Sequence, residues 1–104
     1  MRTLEFVADK QLLQKSPDCD FENIVPGSNG YLAAHFTFSE EWNGCVKAAS
    51  FWYNGQEHAA ILVDDCCVIP GEALVGCKFK VSVTGSRSDG YRITSAKTTV
   101  RQEG

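Results

Sequence analysis

Asn54-Gly55 lies between two runs of strand-forming residues, Cys45 to Tyr53 and Gln56 to Val63. Both residues tolerate the positive φ of a type I′ turn, whose twist matches that of paired strands. The segment is therefore expected to be a tight hairpin. A two-residue loop also fixes the register. Tyr53 should face Gln56, then Trp52 Glu57, Phe51 His58, Ser50 Ala59, Ala49 Ala60, Ala48 Ile61, Lys47 Leu62 and Val46 Val63. Alternation sorts these pairs onto two faces. One carries Val46, Ala48, Ser50 and Trp52 opposite Val63, Ile61, Ala59 and Glu57. The other carries Lys47, Ala49, Phe51 and Tyr53 opposite Leu62, Ala60, His58 and Gln56. The first is the more continuously apolar and is expected to face the core. The second still holds Phe51, Leu62 and Tyr53, so another part of the chain or another subunit would have to cover it.

Around the hairpin the chain reads as short strands separated by turn chemistry. Thr3 to Val7 places Leu4 and Phe6 on one side, and Gln11 to Gln14 follows a turn at Asp9-Lys10. Ser16 to Asn23 is an acidic loop broken by Pro17, Ile24-Val25 is a brief pairing candidate, and Pro26 to Gly30 is a turn. Tyr31 to Phe38 alternates, with Leu32, Ala34, Phe36 and Phe38 on one face. Ser39 to Gly44 has the form of a helical turn, with Ser39 as cap and Trp42 turned inward. After Asp64-Asp65 come a short strand at Cys66 to Ile69 and a helical turn at Pro70 to Leu74, dropping Leu74 or Val75 on the core. Cys77 to Thr84 alternates with Cys77, Phe79, Val81 and Val83 inward, and Tyr91 to Val100 closes the domain. The expectation is one all-β domain over residues 1–104. It would be an antiparallel, Ig-like β-sandwich of about seven to nine short strands with one or two single helical turns.

Charge and cysteine usage narrow the functions open to such a chain. Lys+Arg 10 against Asp+Glu 13 gives a net charge of -3, and the basic residues are spread singly. A nucleic-acid partner is not expected. No run approaches the ~20 apolar residues of a membrane span, and MRTLEFVADK lacks the apolar region of a secretion leader. Cys19, Cys45, Cys66, Cys67 and Cys77 are read as reduced, mostly buried thiols.

No chemistry-bearing constellation stands out. Cys66-Cys67 would point to opposite faces of a strand and so cannot act as a C-x-x-C pair. His35 and His58 sit mid-strand, and nothing in their spacing brings them together. Glu40-Glu41 and Asp64-Asp65 are adjacent acids in turns, and Asp18-x-Asp20 with Glu22 lacks the glycine and distal glutamate of an EF-hand. No catalytic residue, cofactor or metal is expected. The aromatics offer a surface instead: whichever of Phe51 and Trp52 is left outside, with Tyr53, would be the anchor. The expected interaction surface is Phe51, Tyr53, His58 and Leu62.

Three stretches carry a resemblance: Phe36-x-Phe38 with Glu41-Trp42-x-Gly44 and Lys47-Ala48-x-x-Phe51; Cys67-x-x-Pro70-x-Glu72-x-Leu74; and Phe79-x-Val81-x-Val83-x-Gly85 running to Ile93-Thr94. Over roughly residues 30 to 100 the chain resembles small β-sandwich domains in tail, baseplate and fibre proteins of tailed bacteriophages and prophages of Gram-positive bacteria. The resemblance implies a non-enzymatic virion structural protein, made in the host cytoplasm and placed in the tail. Its partners would be other tail or baseplate proteins and further copies of itself. It also implies Phe51 as a core residue, against the face preferred above. The alternative is an Ig-like carbohydrate-binding module recognising host cell-surface glycans.

Overall fold

The computed structural model describes residues 1–103. It is all-β, with nine strands: β1 (Arg2–Asp9), β2 (Leu12–Lys15), β3 (Leu32–Phe38), β4 (Val46–Tyr53), β5 (Gln56–Ile61), β6 (Cys66–Val68), β7 (Lys78–Ser86), β8 (Arg92–Thr94) and β9 (Thr98–Arg101). Two single 3-10 turns, Glu40–Trp42 and Gly71–Ala73, are the only helical pieces among the described residues. One sheet has the order β2-β1-β3-β6. The other runs β5-β4-β7-β8, with β9 also on β7. Every pairing is antiparallel except β1 with β3. A parallel neighbour needs a crossover of a dozen or more residues, and β2 with the long loop to Gly30 supplies it.

The hairpin has the register dictated by its turn. Asn54 and Gly55 take φ of 53° and 79°, and the pairs run from Tyr53 with Gln56 to Ala48 with Ile61. The face assignment is reversed from the sequence expectation. Ala49 and Phe51 are fully buried, whereas Val46, Ile61 and Val63 are 67%, 64% and 70% exposed. The cause lies in the next strand. β7 pairs Val81 with Phe51 and Val83 with Ala49, so its Phe79, Val81 and Val83 select the face of β4 that joins them. Against them pack Leu4, Phe6, Leu32, Ala34 and Phe36 from the other sheet, in one core that includes Trp42, Ile69 and Leu74.

Local chemistry sets the ends of these elements. Trp42 is buried and its Nε1 donates to Lys10 O at 2.8 Å, clamping the first 3-10 turn onto the β1–β2 turn. Ser39 does not cap that turn's backbone. Its Oγ accepts from Lys10 N–H at 2.8 Å and donates to Glu41 Oε1 at 2.7 Å, and the latter bond leads the causes holding the Glu41 carboxyl below its ordinary range. Asp64 and Asp65 both have positive φ, 52° and 61°. They form a second tight turn that carries the chain from Val63 to Cys66 and across to the other sheet. Ile24-Val25 forms no strand, although Ile24 O accepts Glu103 N–H at 2.6 Å. Leu74 is buried and Val75 exposed.

The segment Tyr91 to Val100 is one interrupted strand. Thr84 faces Thr94 and Val81 faces Thr98, so three residues on one side oppose two on β7. This is a one-residue bulge. Ser95 fills the gap in the ladder: its N–H donates to Val83 O at 2.9 Å, and its Oγ accepts from Val83 N–H at 3.0 Å.

Candidate functional site

Strand β5 is an outer strand of its sheet, so one line of its backbone groups is unpaired. Leu62 N–H donates to Lys47 O at 2.9 Å. By the alternation of antiparallel pairs, His58 and Ala60 also bond to β4, while Glu57, Ala59 and Ile61 turn their N–H and C=O groups outward. The side chains of those same three residues lie on the solvent face of the sheet, where Ile61 continues into Val63 and Val46. The other three edges are blunted. β2 has four residues, ends in Lys15 and leaves one of its two leucines buried; β6 has three residues; and the β8–β9 edge is bulged and carries Arg92, Lys97 and Arg101. β5 has no Lys, Arg, Pro or bulge.

The expected surface residues fall out unevenly. Phe51 is fully buried and is removed from the surface by the face reversal. Tyr53 and Leu62 are half-buried against the core. His58 is half-buried at the inner side of β5, across from Phe51. Trp52 becomes the outward aromatic beside Tyr53.

At the hairpin tip a groove of about 390 Å³ opens, lined by Trp52, Tyr53, Asn54, Gly55, Gly76, Cys77, Lys78, Lys80 and Lys97. Trp52 is fixed in its wall, with Nε1 donating to Ser82 Oγ at 3.0 Å and Lys97 Nζ 3.9 Å from the ring centroid. Gly76 is required at the floor: a Cβ there would come within 2.2 Å of Tyr53 Cε1. Gln102, 5% exposed, braces that floor; its Nε2 donates to Gly76 O and its N–H to Cys77 O, both at 2.7 Å. Cys77, expected inside, is exposed because it lies beyond the last core row, before β7 begins. Lys78 and Lys80 were legible only as outward positions on an alternating strand, and Lys97 not at all. Their convergence depends on β9 pairing with β7, which no local pattern announces.

Sheet pairing also brings together Glu5, His35 and Cys66 as one row on the open face of the other sheet. His35 Nδ1 lies 2.6 Å from Glu5 Oε1. No hydrogen bond joins His35 to Cys66 among the described residues. Desolvation, then Glu5, Asp65 and Asp64, push the Cys66 thiol up, which disfavours the thiolate that a nucleophile needs. No group of three His, Cys, Asp or Glu able to hold a metal occurs among the described residues. The acidic loop has a cation of its own: Arg2 donates to the carbonyls of Asp20, Glu22 and Asn23 at 2.9, 2.7 and 3.2 Å.

Burial, and then the neighbouring Cys66, push the Cys67 thiol up from the ordinary 9.0 to about 12. Only the thiolate alkylates, so at pH 8 Cys67 should react on the order of a thousandfold more slowly than an unperturbed thiol. Mass-spectrometric timing of iodoacetamide labelling checks this; labelling of Cys67 in step with exposed Cys77 would contradict it. The stability consequence has a definite sign. The unfolded chain loses this proton near pH 9.0 and the folded chain near 12, so Cys67 withdraws stability as pH rises through that window.

No protein-family model, curated protein or solved structure matches this chain.

Proposed function

We propose that this chain is a non-enzymatic structural protein of a phage or prophage virion, placed in the tail or baseplate and working through protein–protein assembly contacts. The observation that carries the reading is β5: six residues of edge strand with no lysine, arginine, proline or bulge, continuous with the exposed Val46, Ile61 and Val63. Such an edge gains main-chain hydrogen bonds when another strand adds to it, and the apolar strip beside it gains area. The resemblance over residues 30 to 100 supplies the tail assignment. The occupant proposed for the edge is a second copy of this chain, since a two-fold axis sets the same edge strand of two copies side by side as an antiparallel pair. Size-exclusion chromatography with light scattering tests it. A dimer or larger assembly is expected at high micromolar concentration. A strict monomer that also fails to bind co-expressed tail proteins would sink the proposal.

A second reading, a module that recognises host cell-surface glycans, is favoured by a different observation: Trp52 and Tyr53 lining one groove. Neutral and acidic oligosaccharides titrated against the folded protein separate it from a purely structural role.

A further inference from the structure

We infer that the hairpin-tip groove is a binding site for an acidic saccharide, a sugar ring bearing a carboxylate or a phosphate. The inference rests on the glycan reading and narrows it to a ligand class. Three of the chain's lysines, Lys78, Lys80 and Lys97, line this single groove of a protein whose net charge is -3. No carboxylate lines it with them. Lys78 is paired directly across from Arg101, and Lys80 lies two residues along on the same face. Like charges placed opposite each other on a sheet repel, and none of these four cations has an ion-pair partner among the described residues. Glu57, in the same row as Trp52 and Lys80, is bonded to Ser50 Oγ on the far side of Trp52. The cluster is thus left to an outside anion.

The walls select what carries that anion. Trp52 and Tyr53 offer ring surface of the sort that sugars pack against, and the volume of about 390 Å³ falls in the range of small-ligand sites and suits one or two sugar rings. The groove is also built in advance of any ligand: Ser82 and Lys97 hold the indole, and Gln102 holds the Gly76-Cys77 floor. A nucleic-acid strand fits less well. It would need a run of stacking rings along a basic track, whereas the cations here gather at one end of the sheet.

The test is isothermal titration of the intact chain with five probes: a glucuronate-containing disaccharide, a sugar phosphate, a neutral disaccharide, inorganic phosphate, and a short single-stranded oligonucleotide. Binding of either acidic saccharide at least about tenfold tighter than the neutral one supports the inference, and the stronger of the two identifies the anion. That affinity should fall about tenfold in Lys78→Gln/Lys80→Gln, with unfolding unchanged because both side chains are exposed. Lys15→Gln, outside the groove, should keep it. Equal binding of neutral and acidic saccharides would leave the glycan reading standing and overturn this inference. No saccharide binding overturns both. Inorganic phosphate or the oligonucleotide binding as tightly as the acidic saccharides also overturns it, as does affinity unchanged in the double variant.

Discussion

Phe51→Ala is expected to lower the unfolding free energy by about 3–5 kcal/mol, the range for emptying a fully buried phenylalanine site. Phe51 is 0% exposed, lies with Phe79 at a ring-centroid distance of 6.4 Å, and is paired with Val81. Truncation therefore opens a cavity in the middle of the sandwich, where neither neighbouring strand can collapse to fill it. Val46→Ala, on the opposite face of the same strand, should change stability by no more than about 0.5 kcal/mol, because the side chain is 67% exposed. Denaturant unfolding of the two variants measures the face assignment directly. The reverse ranking would mean that the apolar strip of Val46, Ala48 and Trp52 is the buried one. A loss of several kcal/mol is a large share of the roughly 5–15 kcal/mol of a domain this size, so Phe51→Ala should also express poorly.

Ile61→Lys carries the other large effect. In the isolated chain Ile61 is 64% exposed, so lysine there should leave the fold intact. In an assembly joined along β5 it would place a long charged side chain on the very edge the partner strand must pair with, the device by which natural edge strands resist pairing. Self-association should weaken by about a hundredfold or more, equivalent to about 2.7 kcal/mol. Light scattering on wild type and variant, with matched thermal unfolding, reads both halves of the prediction. Association unchanged in a folded Ile61→Lys would remove β5 from the interface.

These two residues also mark where the sequence was informative. Asn54-Gly55 determined the hairpin's register from Tyr53 with Gln56 to Ala48 with Ile61, because a two-residue turn leaves the ladder no freedom; Val63, expected opposite Val46, bridges to Cys66 instead. The turn could not determine the face. Both sides of the hairpin carry large apolar groups, and the choice is made by Phe79, Val81 and Val83 on β7, some 24 residues away across the second turn and β6. Their alternation was plain, but their partner strand was not. The same limit hid the groove. Lys78 and Lys80 read as solvated positions, and only the pairing of β9 with β7, offset by the bulge at Ser95, brings Lys97 over Trp52. Trp42 was legible for the opposite reason, since it sits in a turn expected to point it inward, whereas at the second turn the sequence left Leu74 and Val75 open and the structure buries Leu74. Cys77 was misjudged because alternation carries no record of where a core ends.

The central claim is that this protein works by contact along β5. The most direct measurement is amide hydrogen exchange at Glu57, Ala59 and Ile61 as protein concentration rises. In dilute solution these three N–H groups, turned away from β4, should exchange as open amides, while His58 and Ala60 are protected. At concentrations where the chain associates, Glu57, Ala59 and Ile61 should become protected together. Association that leaves those three amides exchanging as fast as before would contradict the account.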